Sequence, residues 1–560
     1  MKIINKILLC ALNSKFIHST PAVYSLKNTA LSYAEKFSVE FPHTVIKEFS
    51  INDTKDSIMY SILKENADVI GFSVYIWNCD YIQRLCRKIK TVSPDTMIIL
   101  GGPQVSYGIQ GMNFLSSDYD YIIEGEGERA FFSLISRICS NGFVPDEEWK
   151  FIFENKKCSA KHIENLSEIP FVYNEENLKT FDNRIIYYEA SRGCPFRCAY
   201  CLSAVCGKVR GLELERVKSD LFFFLNHNVR QVKFVDRTFN YDKERAKEIW
   251  KFLIENGGEK TTNFHFEISA DLLDEESIEI LSTAPDGLFR IEVGIQSFNQ
   301  KTLQAIGRKS DENILTENIK AIVMNGNMTV HADLIAGLPL ENYESFKTSF
   351  NKAYSIKAHQ LQLGFLKLLP GAPMNEMIEK YGYIFDENSP YEVIKNNDIS
   401  YPELFQLKRI EDCFERVYNS ARFIYSLSEL EKLYETPYEL YDALSEEFDK
   451  NDILFTAVST KIIYGLLHEF YYKKIGDEER RNDFDKKLLL DFYCCERTDQ
   501  LPVSLRYLST ESRKRKNALV EKGIKEDKNH YIRFIGKDVY IFDYSSKNPV
   551  TERYKYFRFS

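Results

Sequence analysis

Glu189-Ala190-Ser191-Arg192-Gly193-Cys194-Pro195-Phe196-Arg197-Cys198-Ala199-Tyr200-Cys201 follows directly on an apolar strand pattern, Ile185–Ala190, and sets three thiols at C-x₃-C-x₂-C spacing. Thiolates are the usual ligands of iron–sulfur clusters, and a short loop can present several of them to one face of a cluster. A cubane has four iron corners, so three local thiolates leave one iron open. A zinc site of the same construction needs a fourth closing ligand. Cys206 is available, but that spacing matches no common zinc pattern. A zinc-stabilised structural module therefore stays open as an alternative, and it predicts a colourless protein.

Downstream of this loop, strand patterns recur at Gln231–Asp236, Asn263–Ser269, Phe289–Gly294, Thr329–Ile335 and Gln360–Leu368, with helical patterns between them at Lys243–Glu255, Glu275–Ser282 and Asp311–Asn325. This succession of βα units predicts an open, partial (β/α)6 barrel rather than a complete eight-unit one. Upstream, Lys6–Leu12, Val45–Ser50, Ala67–Ser73, Met97–Leu100 and Tyr119–Glu124 read as strands, with helices around Ala22–Lys36, Tyr81–Lys90 and Ala130–Cys139. That alternation predicts a doubly wound, Rossmann-like parallel sheet whose ligand crevice lies past the carboxyl ends of the strands. Asn141–Asn183 is polar and irregular and reads as a linker. Beyond Pro373 the pattern turns helical and Tyr/Phe-rich over Ile394–Lys473, and the tail from Tyr531 alternates as a small antiparallel meander. The fold class is thus α/β, with a mainly helical C-terminal domain and a β tail. The domain borders fall at 1–165, 166–375 and 376–560.

From Ile185 to Pro370 the sequence resembles the radical S-adenosylmethionine (SAM) superfamily. The resemblance implies that Cys194, Cys198 and Cys201 hold a [4Fe-4S] cluster whose open iron chelates SAM, and that Tyr200 lies against the adenine. Reductive cleavage would then release a 5′-deoxyadenosyl radical, with the protein orienting the reactants and excluding competing reactions. Phe234–Asn240, Glu292–Ser297 and Asp333–Pro339 resemble the second-, fourth- and fifth-strand motifs of cobalamin-type and methylthiotransferase-type members, so Gln296 and Ser297 are expected SAM contacts. No clear Gly-Gly-Glu segment follows the first helix, which leaves the amino-group contact unassigned; Glu267 and Asp271 are strand-end candidates that equally well cap helices.

The N-terminal domain resembles the cobalamin-binding domain of the cobalamin-dependent branch. The resemblance rests on Asp68–Ser73, Gly101-Gly102-Pro103 and Gly125-Glu126-Gly127-Glu128. It implies that Ser73, Gly101, Gly102, Pro103, Gly125, Glu126, Gly127 and Glu128 contact the corrin, since glycines at strand ends permit close backbone approach. The Asp-x-His-x-x-Gly motif of cobalamin mutases is absent, which argues against a mutase. His18 reads as a polar loop residue, and Tyr75, Trp77 and Asn78 either face the corrin or pack the helix entry. Residues from about 380 resemble a C-terminal domain that accompanies some members of this branch.

The chain has 560 residues and a formal charge of −9. That acidic balance argues against nucleic acid as the main partner. The run Arg513–Lys516 reads as a solvated helix face. No apolar run approaches the ~18–20 residues that span a bilayer, and the expected location is the cytoplasm, where twelve Cys do not read as a disulfide framework. The resemblance implies a methyltransferase acting on a weakly activated carbon or phosphorus centre of a small-molecule or peptide substrate. A flavodoxin or ferredoxin would donate the electron; no individual catalytic residue is identified. Alternatives are a non-methylating radical enzyme of the same branch, a methylthiotransferase, and a cobalamin- or redox-sensing binding protein.

Overall fold

A computed structural model describes residues 4–107, 114–139, 146–205, 207–258, 261–498, 500–508 and 526–559. It divides into two compact units. The first comprises Met1–Leu272, Ile306–Arg308 and Leu366–Ile394; the second comprises Leu273–Ala305, Lys309–Phe365 and Lys395–Ser560.

The first unit opens with strands β1 (Lys6–Asn13), β2 (His43–Ser50), β3 (Val69–Ser73), β4 (Met97–Gly101), β5 (Tyr121–Ile123), β6 (Ile152–Glu154) and β7 (Lys157–Ser159), in sheet order β2-β1-β3-β4-β5-β7-β6. β1 shows why its sequence is a continuous apolar run. Leu8, Cys10 and Leu12 enter one core with Ile58, Ile82 and Ile89, whereas Ile7, Leu9 and Ala11 enter the opposite one with Ala30, Phe131 and Leu134. A parallel strand covered by helices on both faces needs apolar side chains at every position. The chain reverses direction of strand order between β1 and β3, the point at which such sheets bind ligands past the strand ends.

The segment expected to be a linker differs from that expectation. β7 pairs parallel with β5, and β6 folds back antiparallel on β7, so the hairpin extends the sheet. Its three-residue strands carry no apolar alternation of their own, and only the edge of an existing sheet supplies their pairing. Residues 141–145 of the expected linker lie outside the described residues.

β8 (Ile186–Tyr188) pairs in parallel with β11 (Gln231–Phe234), which pairs in parallel with β12 (Asn263–Ile268). Between them, β9 (Ser191–Arg192) and β10 (Arg210–Gly211) form a two-residue antiparallel ladder that frames the cysteine loop. In the second unit β13 (Phe289–Gln296), β14 (Thr329–Ala336) and β15 (Gln360–Phe365) continue the same parallel pattern. Within each unit the pairing is consecutive, β8-β11-β12 in the first and β13-β14-β15 in the second, as successive βα units require. A short pair, β16 (Ile384–Phe385) and β17 (Val393–Lys395), follows.

The C-terminal part is helical over Tyr401–Val417, Ile424–Leu430, Pro437–Lys450, Thr460–Lys474 and Glu478–Cys495, and ends in an antiparallel meander of β18 (His530–Ile535), β19 (Asp538–Lys547) and β20 (Tyr554–Phe559). Arg533, within β18, and Arg553, just before β20, are buried. Arg553 reaches the buried Asp491 at 2.8 Å, and the same carboxylate accepts from the N–H groups of Tyr425 and Ser426. A buried carboxylate that recruits a guanidinium overrides the simple alternation rule. The basic run Arg513–Lys516 lies outside the described residues. Among the described residues, no helix is long and apolar enough to cross a membrane.

Candidate functional site

The carboxyl ends of β3, β4 and β5 open onto a cleft of about 970 Å³. That is the upper end of the ~300–1,000 Å³ usual for cofactor pockets. Ser73, Gly101, Gly102, Pro103, Gly125, Glu126, Gly127 and Glu128 all line it, so residues from three separate strand ends are brought to one wall. Residues of the cysteine-loop region also line it: Arg192, Gly193, Leu202, Ser203 and Val205. Tyr75 and Trp77 also line it, stacked with ring centroids 4.4 Å apart and 7° between planes. Asn78 does not face the cleft; its amide caps the strand end by donating to Leu12 and Ser73 carbonyls at 2.9 and 3.1 Å. His18 is likewise elsewhere, with Nδ1 2.7 Å from the Tyr187 hydroxyl.

Two features define this part of the lining. At Gly102, φ is +106° and a Cβ would stand 2.6 Å from the Val74 carbonyl oxygen, so only glycine lets the turn pass. The Ser73 hydroxyl is buried in the same wall with no hydrogen-bond partner among the described residues. An orphaned buried hydroxyl is a donor or acceptor that the protein itself does not satisfy.

Glu126 and Glu128 play a different part from the neighbouring glycines. Their carboxylates are engaged by arginines of the cysteine-loop ladder: Glu128 by Arg192 at 2.8 Å, Glu126 by Arg192 at 3.0 Å and by Arg210. Burial works to raise the Glu128 carboxyl, but Arg192 and the surrounding hydrogen bonds together outweigh it and hold the group below its ordinary value.

The cysteine loop is built by backbone bonds. Gly193 (φ +107°) starts it where a Cβ would meet the Lys208 carbonyl oxygen at 2.9 Å. The Cys201 N–H donates to the Cys198 carbonyl at 3.0 Å, and the Ala199 N–H donates to the Ile306 carbonyl at 2.9 Å. Asp236, buried at the end of β11, accepts from the Ala190 N–H at 2.9 Å and from the Ser191 hydroxyl at 2.5 Å, which sets the chain's entry into the loop. Burial pushes its carboxyl up to about 7.

Cys194, Cys198 and Cys201 are all free thiols. Cys194 Sγ lies 3.4 Å from the Thr238 hydroxyl, and Cys201 Sγ accepts from the Ser203 N–H at 3.4 Å. Cys198 is buried, which pushes its thiol up, and Arg308 Nη1 at 4.0 Å acts in the opposite sense. The Tyr200 hydroxyl lies against the same sulfur, with burial pushing it up as well. Three soft donors on one short loop beside a guanidinium fit a cluster of negative charge. Cys206 lies outside the described residues.

Gln296 ends β13 in the second unit and Ser297 follows it. A register shift against β14 falls between Gly294 and Gln296, and Gln296 takes φ +72°, a strained value for a non-glycine residue. Its Oε1 is buried with no partner among the described residues. Ser297 is committed: its hydroxyl donates to Glu341 Oε1 at 2.6 Å and accepts from the Asn299 N–H at 2.9 Å. The Ser349 hydroxyl donates to the same Glu341 oxygen at 2.8 Å. Of the two expected SAM contacts, Gln296 therefore offers the unsatisfied polar atom. Asp333, in the fifth-strand motif, pairs with His331 at 2.8 Å, and Glu292 stands opposite His331 on β13. Glu267 pairs with Lys233 at 3.5 Å, and Asp271 accepts from the Ser269 hydroxyl at 2.5 Å.

Burial raises the Glu341 carboxyl to about 7, with Ser297 and Ser349 pulling it down. Its folded value lies above the unfolded one, so the folded state binds the extra proton between the two. Stability is therefore highest below about 4.5 and declines as pH rises to about 7, a difference on the order of 3 kcal/mol. Glu341→Gln keeps the acceptor and removes the titration. The variant is expected to melt higher than the parent at pH 8 and equally at pH 5; equal melting at both would show that Glu341 is ionised at little cost.

Arg192, Arg210, Arg308, Asp236 and Glu341 were not singled out by sequence. Arg308 meets Cys198 across 110 positions of chain, and Glu341 meets Ser297 across 44. No local pattern marks such pairs.

Three family models match: the B12 binding domain over residues 30–135, the Radical SAM superfamily over 188–353, and a family described as Protein of unknown function (DUF4080) over 379–544. Among curated proteins, the cobalamin-dependent radical SAM methyltransferase TokK of Streptomyces tokunonensis is 26% identical over 398 residues, covering 65% of this chain and 56% of TokK. The 2-(S-pantetheinyl)-carbapenam-3-carboxylate methyltransferase of Streptantibioticus cattleyicolor is 27% identical over 342 residues, covering 56% of this chain and 49% of that protein. The chain thus spans about half the length of these relatives. Among solved structures, the cobalamin-dependent S-adenosylmethionine radical enzyme OxsB, with aqua-cobalamin and S-adenosylmethionine bound, superposes with a TM-score of 0.57 at 15% identity, covering 94% of this chain and 82% of OxsB. The TsrM methyltransferase of Kitasatospora setae, with cobalamin and a [4Fe-4S] cluster bound, gives 0.54 at 16% identity, covering 68% and 78%. At these identities the likeness is one of fold.

Proposed function

We propose, for a chain that is a radical SAM enzyme with a B12-binding domain, a methyl transfer to a weakly activated carbon or phosphorus centre of a small-molecule or peptide substrate. When bound, a reduced [4Fe-4S] cluster with SAM supplies one-electron cleavage, and cobalamin supplies methyl carriage. The observation that carries this reading is the shared cleft, lined both by the glycine turns after β4 and β5 and by the entry to the cysteine loop. The methyltransferases TokK and its carbapenam-directed relative add support.

In this reading Cys194, Cys198 and Cys201 hold the cluster, and Arg308 offsets charge beside Cys198. Tyr200 and Gln296 contact SAM, with Ser297 fixing the strand end from which Gln296 projects. Ser73 and the Gly101–Pro103 and Gly125–Glu128 turns hold the corrin. The apolar and aromatic parts of the cleft, Tyr75 and Trp77 among them, exclude water from the reacting face. A flavodoxin- or ferredoxin-type protein donates the electron.

The test is to prepare the full chain anaerobically with hydroxocobalamin, record iron and cobalt spectra, and incubate it with SAM and a reductant. Methyl transfer yields both S-adenosylhomocysteine and 5′-deoxyadenosine. Formation of 5′-deoxyadenosine alone identifies a non-methylating radical enzyme, and binding of cobalamin without SAM cleavage identifies a sensor.

A further inference from the structure

One guanidinium joins the turn on the cobalamin side of the cleft to the loop that carries the cysteines. Arg192 stands two residues before Cys194. Its Nη2 is 2.8 Å from Glu128 and 2.8 Å from Glu189, and its Nη1 is 3.0 Å from Glu126. Arg210 is the cross-strand partner of Arg192 in the β9–β10 ladder and holds Glu126 from the other side. Two cationic side chains directly opposite each other repel, and the Glu126 carboxylate between them reverses that sign. The ladder and the Glu126–Glu128 turn therefore keep their charges paired only in one relative placement. The Arg192 and Glu128 side chains are 19% and 7% exposed, so solvent offers little compensation if that placement is lost.

The same ladder closes the base of the cysteine loop. Whatever fixes the loop fixes Arg192, and through it the turn that lines the cobalamin wall. Linkage is reciprocal: a ligand that favours one placement raises the affinity of the other ligand by the same factor.

We infer that Arg192 is a positioning residue that couples cobalamin affinity to occupancy of the cysteine loop, an inference that rests on the two cofactor sites of the proposed function. Hydroxocobalamin is titrated anaerobically into the full chain, once without a cluster and once after cluster reconstitution, and corrin absorbance reports binding. The parent chain is expected to bind about tenfold more tightly with the cluster in place, within the usual range of such couplings. In Arg192→Met the two affinities become equal within about twofold, and Arg192→Lys gives an intermediate ratio. Arg192→Met combined with Glu128→Gln removes the most buried of the carboxylates that lose Arg192, so it regains melting temperature while its two affinities stay equal to each other; that outcome separates coupling from folding. Equal affinities in the parent, or an undiminished ratio in Arg192→Met, overturn the inference. Failure of hydroxocobalamin to bind either form overturns instead the assignment of the cleft to cobalamin.

Discussion

Replacing Cys198 by alanine is expected to abolish 5′-deoxyadenosine formation and to strip the protein of most of its iron and sulfide. Cys198 is the most enclosed of the three thiols, 6% exposed, with Arg308 and Tyr200 packed against its sulfur. Ligation needs the thiolate, and burial alone disfavours that form. Arg308 works against that burial without outweighing it, so the thiol stays above its ordinary value until a metal binds. Alanine leaves two ligands on the loop, too few for a cluster. Hydroxocobalamin should still bind, at the affinity of the cluster-free parent chain, because the glycine turns of its wall are untouched. Quantifying iron, sulfide and 5′-deoxyadenosine in parallel checks this. A variant that keeps a full cluster spectrum and cleaves SAM normally would remove Cys198 from the ligand set.

Gly102→Ala is expected to weaken hydroxocobalamin binding while sparing SAM cleavage. The backbone there, φ +106° and ψ 171°, lies in a region essentially reserved for glycine. A methyl group would stand 2.6 Å from the Val74 carbonyl oxygen and 3.0 Å from its nitrogen, and both atoms are already bonded to the same turn, the N–H to Gly101 and the carbonyl by Gln104. The turn must therefore move as backbone, at a cost of roughly 2 kcal/mol, which corresponds to about a 30-fold loss of affinity if it falls on the bound state. Corrin titration of the variant measures that loss, and its iron content and SAM cleavage serve as the internal control. Unchanged affinity would mean that the Gly101–Pro103 turn does not touch the ligand.

Some of the site is legible in the linear chain because the chemistry is local. Three cysteines within eight positions present their donors from one loop, and Gly102 and Gly125 mark turns with positive φ that a side chain resists. The buried strands of the first sheet are equally plain, since β1 has apolar residues facing both cores. The hairpin at Ile152–Ser159 was missed for the converse reason: its pairing comes from β5, not from its own residues. Glu126 and Glu128 show a subtler failure. Their position beside glycines points to the ligand, yet their carboxylates are directed at Arg192 and Arg210.

Order along the chain, hydrophobic period and the spacing of thiols determined the succession of a doubly wound sheet, a run of parallel βα units and a helical part with an antiparallel tail. They also determined which loop carries the sulfur donors. These are short-range properties, set by backbone geometry and by which faces must leave water. Tertiary structure alone decided which polar groups meet: Arg308 with Cys198, Glu341 with Ser297, and Arg192 with the turn that lines the cleft. Such pairings join residues far apart in the chain, and nothing in either partner's neighbourhood specifies the other, because a buried ion finds its counter-charge only once the surrounding elements have packed.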